Sequence, residues 1–168
     1  MTSGVTVRRA RPSDAPQMAQ VHVTSWQQTY RGLMPDSVLD DPNLLPARER
    51  FWIGALSDER WSSNRTVVAE VDGTIVGIAM SGPAQEPDAT EESQLHLIYV
   101  DAAHHGCGAG PALLNAVLDP GESAVLWVAD PNPRAQAFYR KHRFAPDGPS
   151  KTEDGVREVR WVRAAGTS

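Results

Sequence analysis

The stretch HHGCGAGPALL, residues 104–114, places three side chains able to bind a metal, His104, His105 and Cys107, among three glycines and ahead of an apolar run. A metal site is not expected there. Adjacent histidines diverge on most backbones, and a zinc site needs four spaced ligands, whereas the chain holds one cysteine and no second His or Cys pair. A dinucleotide fingerprint would need glycine at Pro111, and no Lys-Ser/Thr follows as a P-loop requires. What remains is a strand, a glycine turn and a helix starting near Gly108. The first amides of that helix lack partners within it and carry the positive end of its dipole. Glycines at 106, 108 and 110 would let a phosphate approach the backbone, and Pro111 gives up an N–H that the helix does not use. On these residues alone, a phosphate cradle and a ligand-free connection stand level.

The elements that would position this loop follow from periodicity. VTVRRA (5–10) predicts a strand, and residues 14–30 a helix, with Asp14 as N-cap and Gln17 three residues on. Residues 46–56 predict a second helix. RTVVAEV (65–71) and TIVGIAM (74–80), joined by Asp72-Gly73, predict a hairpin. Strands are expected at 94–101, 123–130 and 156–163, and helices at 111–118 and 132–142. Strands alternating with helices imply a parallel pairing within a mixed sheet, an α/β (or α+β) class. No repeat or linker divides the chain, so residues 1–163 are expected to form one domain, with 164–168 a frayed tail.

The 168 residues carry a net charge of −5, against the positive field of a nucleic-acid binder. No apolar run reaches the roughly 18 residues needed to cross a bilayer, and the first residues lack a signal-peptide core. No membrane or nucleic-acid partner is therefore expected, and the location expected is cytoplasmic. The single cysteine permits no internal disulfide.

LHLIYVDAAHHGCGAGPALL resembles the acetyl-coenzyme A motif of the GNAT superfamily of N-acetyltransferases, a strand followed by Gln/Arg-x-x-Gly-x-Gly/Ala and a helix. His105, Gly106, Cys107, Gly108, Ala109 and Gly110 occupy the motif. Downstream, LWVADPNPRAQAFYRKHRF resembles the family's Asn-x-x-Ala-x-x-Phe-Tyr-x-x-x-Gly-Phe segment at Asn132, Ala135, Phe138, Tyr139 and Phe144. VTSWQQTYRGLMPD (23–36) resembles the first-helix region. The resemblance implies a GNAT fold: a mostly antiparallel mixed sheet with a central splayed parallel pair and helices on both faces. It also implies acetyl transfer from acetyl-CoA to a primary amine, of a small molecule or a protein, by direct attack in a ternary complex. The amides around Gly108 and Gly110 would hold the pyrophosphate. The backbone along Ile98, Tyr99 and Val100 would meet the acetyl-pantetheine arm, its fixed donors worth about 3 kcal/mol each. Tyr139 would protonate the departing thiolate, and Asn132 would cap its helix and touch the coenzyme. A homodimer is possible by the same analogy.

The chain departs from the pattern in places. His105 and Cys107 stand where relatives carry Gln/Arg and often a basic residue, so weaker coenzyme binding is expected. Arg143 occupies a turn glycine's place. The family's Glu near the start of the strand is Gln94 here. His96, two residues on and on the same face of a regular strand, is the candidate base, with an ordinary pKa of about 6.5. The alternatives are a half-buried strand histidine, with a water relay to Glu92 or a neutral amine as acceptor. For Tyr139 the alternative is an amphipathic residue at a helix surface, with Ala135 and Phe138 in the core and Tyr139 about 100° round the helix. Trp26, Tyr30, Trp52, Trp61 and His22 could line the acceptor site, and Asp36, Asp40 and Asp41 could attract an amine. The competing function is an acyl-CoA-binding sensor without catalysis.

Overall fold

The computed structural model describes residues 4–153 and 155–166. In chain order the elements are β1 (Thr6–Arg9), α1 (Ala15–Tyr30), α2 (Asp36–Leu39), α3 (Leu44–Ser57), β2 (Arg65–Val71), β3 (Thr74–Pro83) and β4 (Ser93–Val100). Then come α4 (Ala109–Val117), β5 (Ala124–Ala129), α5 (Pro133–Lys141), β6 (Ala145–Glu153) and β7 (Val156–Arg163). The strands form one sheet in the order β1-β2-β3-β4-β5-β7-β6. Among the described strands only β4 and β5 run parallel; every other neighbouring pair in the sheet is antiparallel.

Two elements lie outside the sequence expectation. The four-residue α2 is too short to show a period. Strand β6, sequence APDGPSKTE, has two prolines and a glycine, and none of its residues is buried. As the outermost strand it bonds only to β7, so it needs neither apolar alternation nor an unbroken row of amides. Asp72 and Gly73 both take positive φ, 52° and 78°, the requirement of the tight turn expected there. Asp14 is the N-cap residue of α1, as expected, but its side chain makes no capping bond to that helix. Its carboxylate accepts from the Arg8 guanidinium at 2.8 and 2.9 Å and from the Arg11 amide at 2.8 Å, stapling β1 to the helix entry, while Gln17 accepts from the Ile75 amide. In the stretch 164–168 read as a tail, the Gly166 amide donates to the Gly121 carbonyl; residues 167 and 168 lie outside the described residues.

Each face of the sheet has its own core. Under α4 and α5 lie Leu113, Leu114, Val117, Leu126, Val128, Tyr139, Phe144 and Trp161. Under α1 and α3 lie Met18, Ala19, Trp52, Val68, Ile78 and Met80. Strand β4 contributes to both with a break in its alternation. Leu95, Ile98 and Val100 face the α4 side, whereas Leu97 and Tyr99 face the other. The register explains this: Ser81 pairs with Leu95 and Met80 with Leu97, so His96 is the extra residue of a β-bulge. The regular alternation assumed between Gln94 and His96 fails at this residue.

Beside the bulge, β4 and β5 pair only at Ser93–Ala124 and Gln94–Val125, then separate. The closed end is fastened by Glu122, which accepts from the Arg65 guanidinium at 2.6 Å, from the Ser93 hydroxyl and from the Asp119 amide. Arg163 adds bonds to the Glu122 and Asp119 carbonyls at 3.0 and 2.9 Å. Desolvation opposes the Glu122 charge, but the Arg65, Ser93 and Asp119 bonds outweigh it and hold its pKa below the ordinary value.

His22 sits in the second core, 4% exposed, stacked on Tyr99 and accepting from the Trp52 indole at Nδ1. Burial and the nearby Arg48 charge push its pKa down to about 3. The unfolded chain binds a proton at this residue below about pH 6.5 and the folded chain does not, so stability must fall as pH drops from 6.5 toward 3. The expected contribution approaches about 1.4 kcal/mol per pH unit. Denaturant melts at pH 7, 6 and 5 should show the decline, and His22→Asn should flatten it. An unchanged slope in the variant refutes the assignment.

Candidate functional site

Where β4 and β5 part, the sheet opens into a cleft of about 830 Å³, a size suited to a cofactor arm and a small ligand. One wall is β4 from Leu95 to Val100. The other is Trp127, Val128 and Ala129 of β5 with the inner face of α5. The glycine loop closes one end and α1 another.

The β4 edge toward the gap is set by alternation. The Asp101 amide donates to the Val76 carbonyl on the β3 side, so Tyr99 and Leu97 also turn their backbone groups to β3. Ile98 and Val100 therefore turn theirs to the gap, the two residues singled out for a pantetheine arm. The Tyr99 backbone belongs to the β3 ladder, and its hydroxyl accepts from the Trp26 indole at 3.1 Å. The Val100 carbonyl is already engaged: His105 Nε2 lies 3.0 Å from it, so that nitrogen carries the proton. A ligand pairing with the Val100 carbonyl must share that oxygen with the His105 ring or displace it.

At the loop, Gly106 and Gly108 have φ of 82° and 92°, and a Cβ on either would project into open space. Gly108 is the N-cap of α4. The first amides of that helix lack intrahelical partners, and Pro111 has none to offer. Gly106, Gly108 and Gly110 line the cleft with His104 and His105; Ala109 is buried beneath, and Cys107 is exposed and does not line it. These residues can receive an anion: the backbone is bare, and no Asp or Glu lines the cleft among the described residues. No group of three or more His, Cys, Asp or Glu among them could hold a metal ion.

Tyr139 is the buried residue of α5, 8% exposed, against the rings of Phe144 and Trp161. The alternative arrangement is reversed: Phe138 and Ala135 are only partly buried and line the cleft, while Tyr139 turns inward against Phe144 and against Trp161 of β7. Burial, reinforced by Tyr99, raises the Tyr139 pKa, so the phenol keeps its proton throughout the neutral range. Asn132 caps α5, its side chain accepting from the Ala135 amide at 3.3 Å, and also lines the cleft.

His96 lines the same cleft, half-buried, with its pKa lowered by desolvation, so it is neutral at pH 7. Room for its ring comes from Gly82, where a Cβ would lie 3.1 Å from His96 Nε2 and 2.1 Å from Asn64 Oδ1. Glu92 is exposed and does not line the cleft.

The remaining candidates serve the scaffold. Asp36 and Asp40 are tied to Arg31 at 3.0 and 2.8 Å, and Asp41 accepts from the Asn43 amide. Trp52 and His22 are core, Trp61 is exposed on another surface, and of the early aromatics only Tyr30 reaches the cleft. Sequence reasoning missed Ser25, Gln28 and Thr29 on α1, Trp127 on β5, and Arg134 and Lys141 on α5, all lining the cleft. Trp127 could have been found by alternation, since Leu126 and Val128 face the α4 core; the α1 residues carry no such signal.

The profile of the Acetyltransferase (GNAT) family matches residues 23–144. The chain belongs to the GNAT acetyltransferases. A probable N-acetyltransferase of Mycobacterium tuberculosis is 30% identical over 87% of this chain and 83% of that protein. An uncharacterized N-acetyltransferase of Bacillus subtilis, YuaI, is 30% identical over 95% and 88%. Among solved structures, the PaiA N-acetyltransferase of Thermoplasma acidophilum in complex with coenzyme A superposes with a TM-score of 0.71 over 95% of this chain and 98% of that one, at 16% identity. This GNAT chain is thus an acyltransferase of the acetyl-CoA-using kind, and its parallel pair, flanking helices and antiparallel remainder are the expected fold.

Gly108 in the left-handed region gives a direct test. Gly108→Ala should cost about 1 kcal/mol of stability, read in a denaturant melt, and weaken coenzyme A binding in calorimetry. An unchanged midpoint would show that the turn tolerates a Cβ.

Proposed function

We propose that the protein transfers the acetyl group of acetyl-CoA to a primary amine by direct attack within a ternary complex. The observation that carries this reading is the convergence on one cleft of the open Ile98–Val100 edge, the bare glycine loop and a buried, protonated Tyr139. Bound acetyl-CoA supplies an activated thioester.

The residues divide the remaining work. The loop amides hold the diphosphate at the positive end of α4, and the backbone of Ile98 and Val100 aligns the pantetheine arm as an added strand would. An amide donor on this edge would stabilise the negative charge that develops on the thioester carbonyl oxygen. Tyr139 donates its proton to the thiolate as the carbon–sulfur bond breaks. His96 accepts a proton from the amine as the carbon–nitrogen bond forms; a neutral imidazole suits this, and among the described residues no carboxylate lines the cleft to compete for the role. An alkylammonium of pKa about 10.4 must lose roughly 4.6 kcal/mol worth of protonation at pH 7, so a nearby base matters. Cys107 stands outside the cleft, consistent with a route lacking an acyl-cysteine. On the α1 wall, Ser25, Gln28 and Thr29 are the polar residues nearest the place where an acceptor would enter, and the buried Ser25 hydroxyl has no protein hydrogen-bond partner.

Tyr139→Phe should lower kcat at least about tenfold while leaving coenzyme A affinity unchanged; an unaltered kcat removes Tyr139 from the chemistry. The acid limb of the kcat/KM profile should fall below pH 6.5, because the His96 pKa is lowered from that value. His96→Gln should abolish that limb, and its survival would assign it to another group.

A further inference from the structure

The glycine loop of this chain carries no Arg or Lys, since His105 stands where relatives have Gln or Arg and Cys107 where they often have a basic residue. Yet the cleft is not without cations. Arg134 and Lys141, with Phe138 between them, recur at helical spacing along one side of α5, and all three line the cleft. A Cβ on Gly110 would lie 3.1 Å from the Phe138 ring, so this stripe runs abreast of the first turn of α4. Among the described residues, neither Arg134 nor Lys141 makes an ion pair, whereas Arg140 on the same helix lies over the Trp161 ring at 5.1 Å. The protein has 21 acidic against 16 basic side chains, but among the described residues its cleft has no Asp or Glu and two permanent cations. That local inversion of charge is what an anionic ligand needs and what a neutral one would not require.

We infer that Arg134 and Lys141 form a phosphate subsite on α5 that takes phosphate groups at the nucleotide end of coenzyme A, supplying from a helix face the charge that the glycine loop lacks. The inference rests on the reading that the cleft binds acetyl-CoA. Arg134 offers a planar fork matched to two phosphate oxygens, and Lys141 a mobile point charge. Both are exposed, so their contribution is electrostatic and sensitive to salt.

The test is calorimetric titration of the full chain with coenzyme A and with dephospho-coenzyme A, at low and at moderate salt. Arg134→Gln and Lys141→Gln are compared with Arg140→Gln, which makes the same charge change on the same helix. The first two should each weaken coenzyme A binding about fivefold or more at low salt, equivalent to about 1 kcal/mol, and less at higher salt. Arg140→Gln should stay within about twofold of the parent. If the losses disappear with dephospho-coenzyme A, the subsite holds the 3′-phosphate; if they persist, it holds the diphosphate. Losses below twofold at both positions, or losses that salt does not diminish in variants melting like the parent, overturn the inference. Parent protein that binds coenzyme A while both variants bind it equally well refutes only this subsite. No binding by the parent at millimolar coenzyme A overturns the acetyl-CoA reading and the subsite together.

Discussion

Everything at this site depends on a parallel pairing that stops after two residue pairs. A parallel strand pair that continued would consume the Ile98 and Val100 backbone groups in a ladder with β5 and leave a closed sheet. Because β4 and β5 meet only at Ser93–Ala124 and Gln94–Val125, six residues of β4 retain a half-satisfied edge. Buried backbone groups without partners are costly, so the gap stays affordable only where solvent or a ligand can enter. The bulge at His96 works with the parting: it shifts the parity of β4 so that Ile98 and Val100 rest on the α4 core while Leu97 and Tyr99 rest on the other.

Burial then sorts the ionisable groups. Tyr139 is driven toward the protonated phenol and His96 toward the neutral imidazole by the same cause, removal from water. One is left able to give a proton and the other to take one, without an ion pair to tune either. The acids of this acidic protein are spent elsewhere. Glu122 fastens the closed end of the cleft, Asp14 staples β1 to α1, and Asp88 and Asp147 hold Arg160.

Much of this was legible in the sequence. The strand at 156–163, the Asp72-Gly73 turn and the glycine loop entering a helix stand where the residues indicated, because strong periodicity and left-handed glycine are local properties. The depth of Tyr139 was not legible. A helical wheel drawn around Phe138 puts the tyrosine to one side, and only the packing of α5 on Trp161 and Phe144 shows which side is inward. Strand β6 was hidden because an edge strand is defined by its neighbour rather than its composition. Arg134 and Lys141, seven residues apart on an exposed helix, read as a solvated face until the glycine loop is seen lying beside them.

The closed end of the cleft has a mechanical consequence. From the two residue pairs and the Glu122 knot at its base, β4, laddered to β3 along its length, extends six residues beyond Gln94, about 20 Å at 3.3 Å per residue. A rotation of about 5° at that base would carry the tip near Val100 by almost 2 Å, more than half the length of a hydrogen bond. A small change of angle at the knot among Arg65, Ser93, Glu122 and Arg163 would thus be magnified at the far end of the opening, though none of the four lies among the residues that line it.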